Sequence, residues 1–235
     1  MQDLTGRIAV VTGGNRGIGR GIAEALAAAG LRVALTARTS AHADAAAREI
    51  GAGARGYACD VRQPAQVQAV FAAVERDLGG VDVLVNNAGV GLFAPVAELS
   101  LDDWHAVIET NVNGVFYCTR EAIPRMRKRG GGYIFNVSSL AGRNAFPGGG
   151  AYCASKHALN GFSEVLFQEV REHGIRVTCL MPGSVATAFG RGTAAKMEWA
   201  LQPADVGEMV VDLLRTNPRA MHSRVEMRPS RPRKG

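Results

Sequence analysis

A doubly wound α/β fold, with one parallel sheet covered by helices on both faces, is what this sequence predicts. Three observations predict it. Short, continuous apolar runs of strand length recur along the 235 residues. Longer stretches with helical apolar spacing separate them, and that alternation suits strands buried on both faces. The unusual polar and glycine-rich segments then fall just after the apolar runs. In an open parallel sheet, that is where ligands bind, near the point at which strand order reverses.

The elements follow in order. Arg7 to Thr12 (R-I-A-V-V-T) reads as a buried strand, and Ile18 to Ala29 as an Ala-rich helix. Arg32 to Ala37 is the second strand, Ala41 to Ile50 a helix, and Ala54 to Ala58 a short third strand. Ala65 to Leu78 places apolar residues at 67, 70, 71, 74 and 78, the stripe of an amphipathic helix. Val81 to Val85 is the fourth strand. A long helix is expected over Leu101 to Met126, bent near Pro124. Within it, N-V-N-G (Asn111 to Gly114) places poor helix formers in the interior and predicts a local kink. Tyr133 to Val137 is the fifth strand, Ala151 to His173 a helix, and Ile175 to Leu180 the sixth strand. Ala204 to Leu214 is the last helix and Ser223 to Met227 a seventh strand. Nothing reads as an interdomain linker, so residues 1–235 are expected to form one domain.

Bulk properties exclude several classes. Hydrophobic residues make up 47% and charged residues 20%, which is ordinary for a globular protein. No apolar run approaches the ~18 residues that span a bilayer. The opening M-Q-D-L-T-G-R runs directly into strand-like residues, so no signal peptide is expected there. Cys59, Cys118, Cys153 and Cys179 are far apart, form no C-x-x-C pair, and read as free thiols in a reducing compartment. No histidine or cysteine spacing suits a metal. These features lead us to expect a cytoplasmic, metal-free protein. The net charge of +6 comes partly from Arg125 to Arg129 and from the basic tail at 229–235. No aromatic-rich basic face accompanies it, which argues against nucleic acid.

The first unusual segment, T-G-G-N-R-G-I-G (residues 12 to 19), links the first strand to the first helix. Gly13, Gly17 and Gly19 form G-x-x-x-G-x-G. Such a turn lets a phosphate approach the backbone and meet the free N–H groups of the helix N-terminus. The second strand ends L-T-A-R-T, with Ala37 where an acidic residue would favour a ribose hydroxyl, followed by Arg38. A carboxylate repels a 2′-phosphate, whereas a guanidinium binds it through two parallel hydrogen bonds. Arg16 and Arg38 with no acid nearby therefore point to NADP(H), with NAD(H) the less favoured cofactor. Asp60 ends the third strand and suits either a cofactor edge or a cap. N-N-A-G (86 to 89) follows the fourth strand, N-V-S-S-L-A-G (136 to 142) the fifth, and M-P-G-S-V-A-T (181 to 187) the sixth. Finally, Y-C-A-S-K (152 to 156) stands a phenol and an ammonium four apart, hence on one helix face.

On these motifs the chain resembles the short-chain dehydrogenase/reductase family, whose glycine pattern is T-G-x-x-x-G-x-G. The likeness runs from residue 5 to about 187, with six motifs in order at family spacing, and it implies a Rossmann-like sheet. It implies a catalytic set of Ser139, Tyr152, Lys156 and Asn111. Ser139 stands thirteen positions before Tyr152. Ser138 is the neighbouring alternative; side chains alternate along an extended segment, so one hydroxyl faces the cleft. Asn113 is likewise the neighbour of Asn111. The resemblance assigns cofactor contacts to Gly13, Asn15, Arg16, Gly17, Ile18 and Gly19, to Arg38, and to Asp60 and Val61. It extends them to Asn87, Ala88 and Gly89, to Tyr152 and Lys156, and to Pro182, Gly183, Val185 and Thr187. Lys156 is expected to lower the ordinary tyrosine pKa of ~10 toward neutrality. Tyr152 then exchanges a proton with a carbonyl or alcohol oxygen while Ser139 holds that oxygen.

The chain departs from the family in two places. Residues 187–203 form a short substrate lid, which suggests an open or small-substrate site. The C-terminus reads S-R-V-E-M-R-P-S-R-P in place of the common V-T-G-x-x-L-x-V-D-G-G. Candidate substrates are ketones, 3-oxoacyl thioesters and hydroxy acids, and the basic balance leans toward an anion. The family implies a homo-oligomer, dimer or tetramer, packed through the two long helices. The alternative reading is a cofactor-binding sensor with little turnover.

Overall fold

The computed structural model describes residues 3–189 and 198–231. Seven strands form one wholly parallel sheet: β1 (Ile8–Val11), β2 (Arg32–Ala37), β3 (Arg55–Ala58), β4 (Val83–Asn86), β5 (Gly132–Val137), β6 (Ile175–Pro182) and β7 (Arg224–Met227). Their order is β3-β2-β1-β4-β5-β6-β7. Strand order therefore reverses between β1 and β4, and the crevice beyond their carboxyl ends is the switch point of a doubly wound sheet. The short β1 and β4 are buried along their whole length, which is why they carry apolar runs rather than alternation.

The helices are α1 (Gly17–Ala28), α2 (Ser40–Ile50), α3 (Pro64–Leu78), α4 (Leu101–Ile108), α5 (Gly114–Lys128), α6 (Gly150–Val170) and α7 (Pro203–Arg215). One core lies between the sheet and α1, α2 and α7, centred on Ile22, Leu26, Leu35 and Val210. The other lies against α3, α5 and α6, through Phe71, Val74, Met126 and Leu166. Side chains of β1 alternate between the two, Ala9 and Val11 facing one core and Ile8 and Val10 the other.

Glycines allow close helix contact in the first layer. A Cβ on Gly21 would lie 2.4 Å from the Pro203 carbonyl oxygen, and one on Gly207 would lie 2.5 Å from that of Gly21. Helices α1 and α7 thus meet backbone to backbone. In the second layer, a buried polar chain crosses the sheet. Asn86 donates to Thr119 Oγ1 (3.1 Å) and to Asn136 Oδ1 (2.8 Å), and Asn136 donates to Ser163 Oγ (2.9 Å). Asn86 and Asn136 are direct partners in the β4–β5 register.

Some boundaries differ from expectation. The fourth strand starts at Val83 because Asp82 is used elsewhere: its carboxylate accepts the Ile8 N–H at 2.8 Å and pairs with Arg129. The interruption expected at N-V-N-G takes the form of a π segment, Glu109–Asn113, and Pro124 lies inside α5. The sixth helix gives way to a 3-10 turn at Arg171–His173, closed by Gly174 at φ 68°. Among the described residues, no helix is long and apolar enough to cross a membrane.

Candidate active site

The glycine turn is braced from the next strand. Thr12 Oγ1 accepts the N–H groups of Asn87 and Ala88, both at 3.0 Å. The Asn87 amide donates back to the carbonyls of Thr12 (2.8 Å) and Gly13 (3.1 Å). Asn87 therefore holds the turn's shape. Gly19 must lack a side chain, since a Cβ there would sit 2.3 Å from Asn87 Nδ2. Gly13 and Gly17 have φ of 62° and 56°, the left-handed region that only glycine enters freely. Beyond the turn, no side chain caps α1 and no acidic residue lies in its first turn. The helix start is thus electropositive and open to an anion.

Arg16, the extended residue before α1, and Arg38, at the end of β2, are both exposed. Neither has a hydrogen-bond or ion-pair partner among the described residues. Asp60 is different. Its carboxylate takes a forked contact from Arg62 and also accepts the Arg62 N–H at 3.0 Å, which holds it below the usual carboxylate range. Asp60 thus braces its own turn through Arg62 and does not cap α3, whose N-cap is Gln63. Val61 is buried in the second core, against Gly114.

Asn15 is partly buried within the turn. Ile18 and Val185 pack on the first core, and Ala88 on the second. Pro182 closes β6, and the Gly183 N–H donates to the Met227 carbonyl at 2.8 Å. Thr187 leans over the glycine turn, its methyl 3.4 Å from where a Gly17 Cβ would be. Gly89 approaches Asn111, whose Oδ1 would lie 3.3 Å from a Cβ there. Residues 190–197 of the expected lid and 232–235 of the expected tail lie outside the described residues.

Ser139 and Tyr152 line one cleft of about 530 Å³ beyond the ends of β5 and β6. Ser139 Oγ accepts the Ala141 N–H at 3.1 Å, which leaves its proton free to donate. The neighbouring Ser138 is buried and engaged, with its hydroxyl bound to Asn160 Oδ1 at 2.7 Å. Phe93 and Phe189 pack on the Tyr152 ring, each with centroids 5.6 Å away, and Phe146 stacks on Phe93 at 5.9 Å. Burial in this aromatic collar raises the Tyr152 pKa, and the Ser139 hydroxyl pulls against that rise.

Lys156 lies one helical turn on, buried, with Nζ 5.6 Å from the Tyr152 ring centroid. It donates to the Val137 carbonyl at 2.8 Å. Burial lowers its pKa to about 8. Desolvation dominates both groups, and the ammonium points to a backbone oxygen.

Asn111 occupies the π segment, where its amide oxygen accepts the Val90 N–H (2.8 Å) and its amide nitrogen donates to Val90 O (2.9 Å) and Ser155 Oγ (3.0 Å). Ser155 in turn donates to the Tyr152 carbonyl at 2.7 Å. Asn111 thus ties the loop after β4 to the Tyr152 helix, and π segments recur at functional sites. Sequence reading missed Thr12, Ser155, Asn160 and the aromatic collar. The first three are single polar residues in small-residue contexts, and the phenylalanines converge from three distant segments. Among the described residues, no group of three or more His, Cys, Asp or Glu is arranged to hold a metal.

A Gly-rich phosphate turn at the switch point, facing a Ser–Tyr–Lys wall, describes the class of dinucleotide-dependent oxidoreductases. The short chain dehydrogenase family model matches residues 7–198, and the chain belongs to that family. It is 43% identical to the D-threitol dehydrogenase of Mycolicibacterium smegmatis over 190 residues, covering 80% of this chain and 73% of that one. It is 38% identical to the 3-oxoacyl-[acyl-carrier-protein] reductase of Escherichia coli, covering 81% and 78%. Among solved structures, a metagenomic short-chain oxidoreductase in complex with NADP superposes with a TM-score of 0.86 at 37% identity, covering 98% of this chain and all of that one. The alcohol dehydrogenase of the archaeon Thermococcus sibiricus, complexed with 5-hydroxy-NADP, gives 0.90 at 30% identity, covering 97% and 99%.

Proposed function

We propose that this protein is an NADP(H)-dependent oxidoreductase that interconverts a carbonyl compound and its secondary alcohol. The observation that carries the reading is Ser139 and Tyr152 lining one cleft, with buried Lys156 one helical turn on from Tyr152, together with an uncapped glycine turn flanked by two arginines whose side chains have no partner among the described residues. The turn fits the cofactor's pyrophosphate, and Arg16 and Arg38 fit a 2′-phosphate. NADP in one structural neighbour and 5-hydroxy-NADP in another support the same choice.

When bound, the reduced nicotinamide supplies a hydride, two electrons and a proton's mass, to the carbonyl carbon. The residues handle the oxygen. The Ser139 hydroxyl donates to it and holds the negative charge that develops as the π bond breaks. Tyr152 gives that oxygen its phenolic proton, completing the alcohol. In the opposite direction Tyr152 takes the proton back. The Lys156 ammonium favours the phenolate left behind, and Asn111 fixes the position of the Tyr152 helix relative to the loop after β4. The aromatic collar gives the phenol an apolar flank. Two copies pack through α5 and α6, where Phe116 and Val165 are exposed apolar residues.

The test follows loss of the reduced-nicotinamide absorbance with NADPH and NADH in parallel, against ketones, diketones and a 3-oxoacyl thioester. NADPH turnover that falls by about 10²-fold or more in Tyr152→Phe is the expected result. Preference for NADH would overturn the role given to Arg16 and Arg38.

A further inference from the structure

The C-terminal segment builds part of the cleft. Strand β7 ends at Met227, whose carbonyl accepts the Gly183 N–H, and Pro229 then packs 3.5 Å from where a Gly183 Cβ would be. That contact brings Arg228 and Arg231 into the lining of the same cleft that Ser139 and Tyr152 line. Phe146 and Trp199 add apolar surface to that lining.

The charges at this rim do not balance. Glu226 is the carboxylate of the cluster, and both Arg143 and Arg228 bind it, Arg228 at 3.0 Å. Arg231 has no carboxylate partner among the described residues. Three guanidinium groups and one carboxylate leave a local charge of about +2, by ordinary protonation states. Low-dielectric walls focus such a field into the cleft. Neither the hydride transfer nor cofactor binding uses these arginines, because Arg16 and Arg38 lie at the other side, beyond β1 and β2.

We propose that the cleft takes an anionic carbonyl substrate, an oxo acid that carries a carboxylate or phosphate away from its reacting carbon. This rests on the hydride-transfer reading of the same site. The carbonyl meets Ser139 and Tyr152, the carbon chain lies against Phe146 and Trp199, and the anionic group is held by Arg231 with Arg228. Glu226 orients Arg228 and is a positioning residue. A neutral substrate would leave the rim's charge unused.

The test compares kcat/KM for straight-chain oxo acids CH3CO(CH2)nCO2⁻ of increasing length with kcat/KM for their methyl esters. Matched hydroxyketone phosphates form a separate arm that tells phosphate from carboxylate. We expect at least one acid or phosphate to exceed its neutral counterpart by about tenfold or more, the usual worth of a charge-assisted contact. The double variant Arg228→Gln/Arg231→Gln should bring that ratio to within about twofold of one, since the charge-assisted contact is gone. Arg219→Gln removes the same charge from the turn before β7, at the opposite end of the sheet, and should keep the ratio. Ratios near one at every length in the unaltered protein, or an unchanged ratio in the double variant, would overturn the proposal. Calorimetric titration of Tyr152→Phe with the same acids and esters reads the site without turnover. Acid-selective binding there that the arginine variants abolish supports it, and equal or absent binding overturns it. Turnover that survives in Tyr152→Phe would instead sink the proton-donor reading while leaving the acid-to-ester ratio to stand.

Discussion

Lys156 shows how one residue sets two opposing requirements. Its pKa is lowered from 10.5 to about 8 by burial. Below about pH 8 it is charged in both the folded and unfolded chain, so the buried ammonium costs stability throughout that range. The cost is relieved as pH climbs from about 8 toward 10.5, where the folded protein sheds the proton first. The gap corresponds to about 3 kcal/mol at about 1.4 kcal/mol per pH unit. Lys156→Met should therefore raise stability at pH 7 by about 1–3 kcal/mol, the lost bond to Val137 offsetting part, and the gain should shrink above pH 8. Urea melts at pH 7 and pH 10 check this. Activity should move the other way. Reductive kcat/KM for the unaltered protein should fall above about pH 8 as the ammonium is lost, and Lys156→Arg should move that limb upward, since a guanidinium stays charged. At the opposite end of the cofactor cleft, Arg38→Ala should raise the KM for NADPH by about tenfold or more and leave that for NADH nearly unchanged, as expected for loss of a paired phosphate contact. Initial rates with both cofactors decide it.

Among elements, the π segment and the α1–α7 contact matter most. The kink was legible in Asn111 and Gly114, poor helix formers in an interior position, but its form was not. A sequence says that a helix is interrupted, whereas the π turn depends on Val90 and Ser155 arriving from elsewhere to bind Asn111. The α1–α7 contact was not legible at all, since Gly21 and Gly207 are 186 positions apart and glycine in a helix carries no apolar signal. Gly21→Ala should wedge α7 off α1 and destabilise by about 1–3 kcal/mol, the range for overpacking. Thermal unfolding measures it. Because Gly21 lies one turn inside the helix from the phosphate turn, KM for NADPH should change far less than stability does.

At the scale of the whole molecule, the parallel sheet followed from apolar runs alternating with amphipathic stretches, and the motifs then fell at strand ends as the fold requires, whereas the order of strands within the sheet was not read from the chain. What the chain could not reveal was which polar side chains are spent on one another. Asn87, Asp60 and Ser138 each carry a motif's signature, and each is engaged in bracing, with Thr12, Arg62 and Asn160 respectively. Phe116 and Val165 on the α5 and α6 surface give a prediction at this scale. Phe116→Asp with Val165→Asp should convert an assembly larger than the 24.8 kDa chain to a monomer, as read by light scattering. The Asn86–Asn136–Ser163 chain has a consequence beyond the site. Parallel strands of Val, Ile and Leu offer many near-equivalent alignments, and a slip of one residue flips every side chain to the other layer. Here a slipped β5 would strand two amides in hydrocarbon, at a cost of a few kcal/mol each. The chain acts as a keyed joint that disfavours misaligned pairings of β4 and β5.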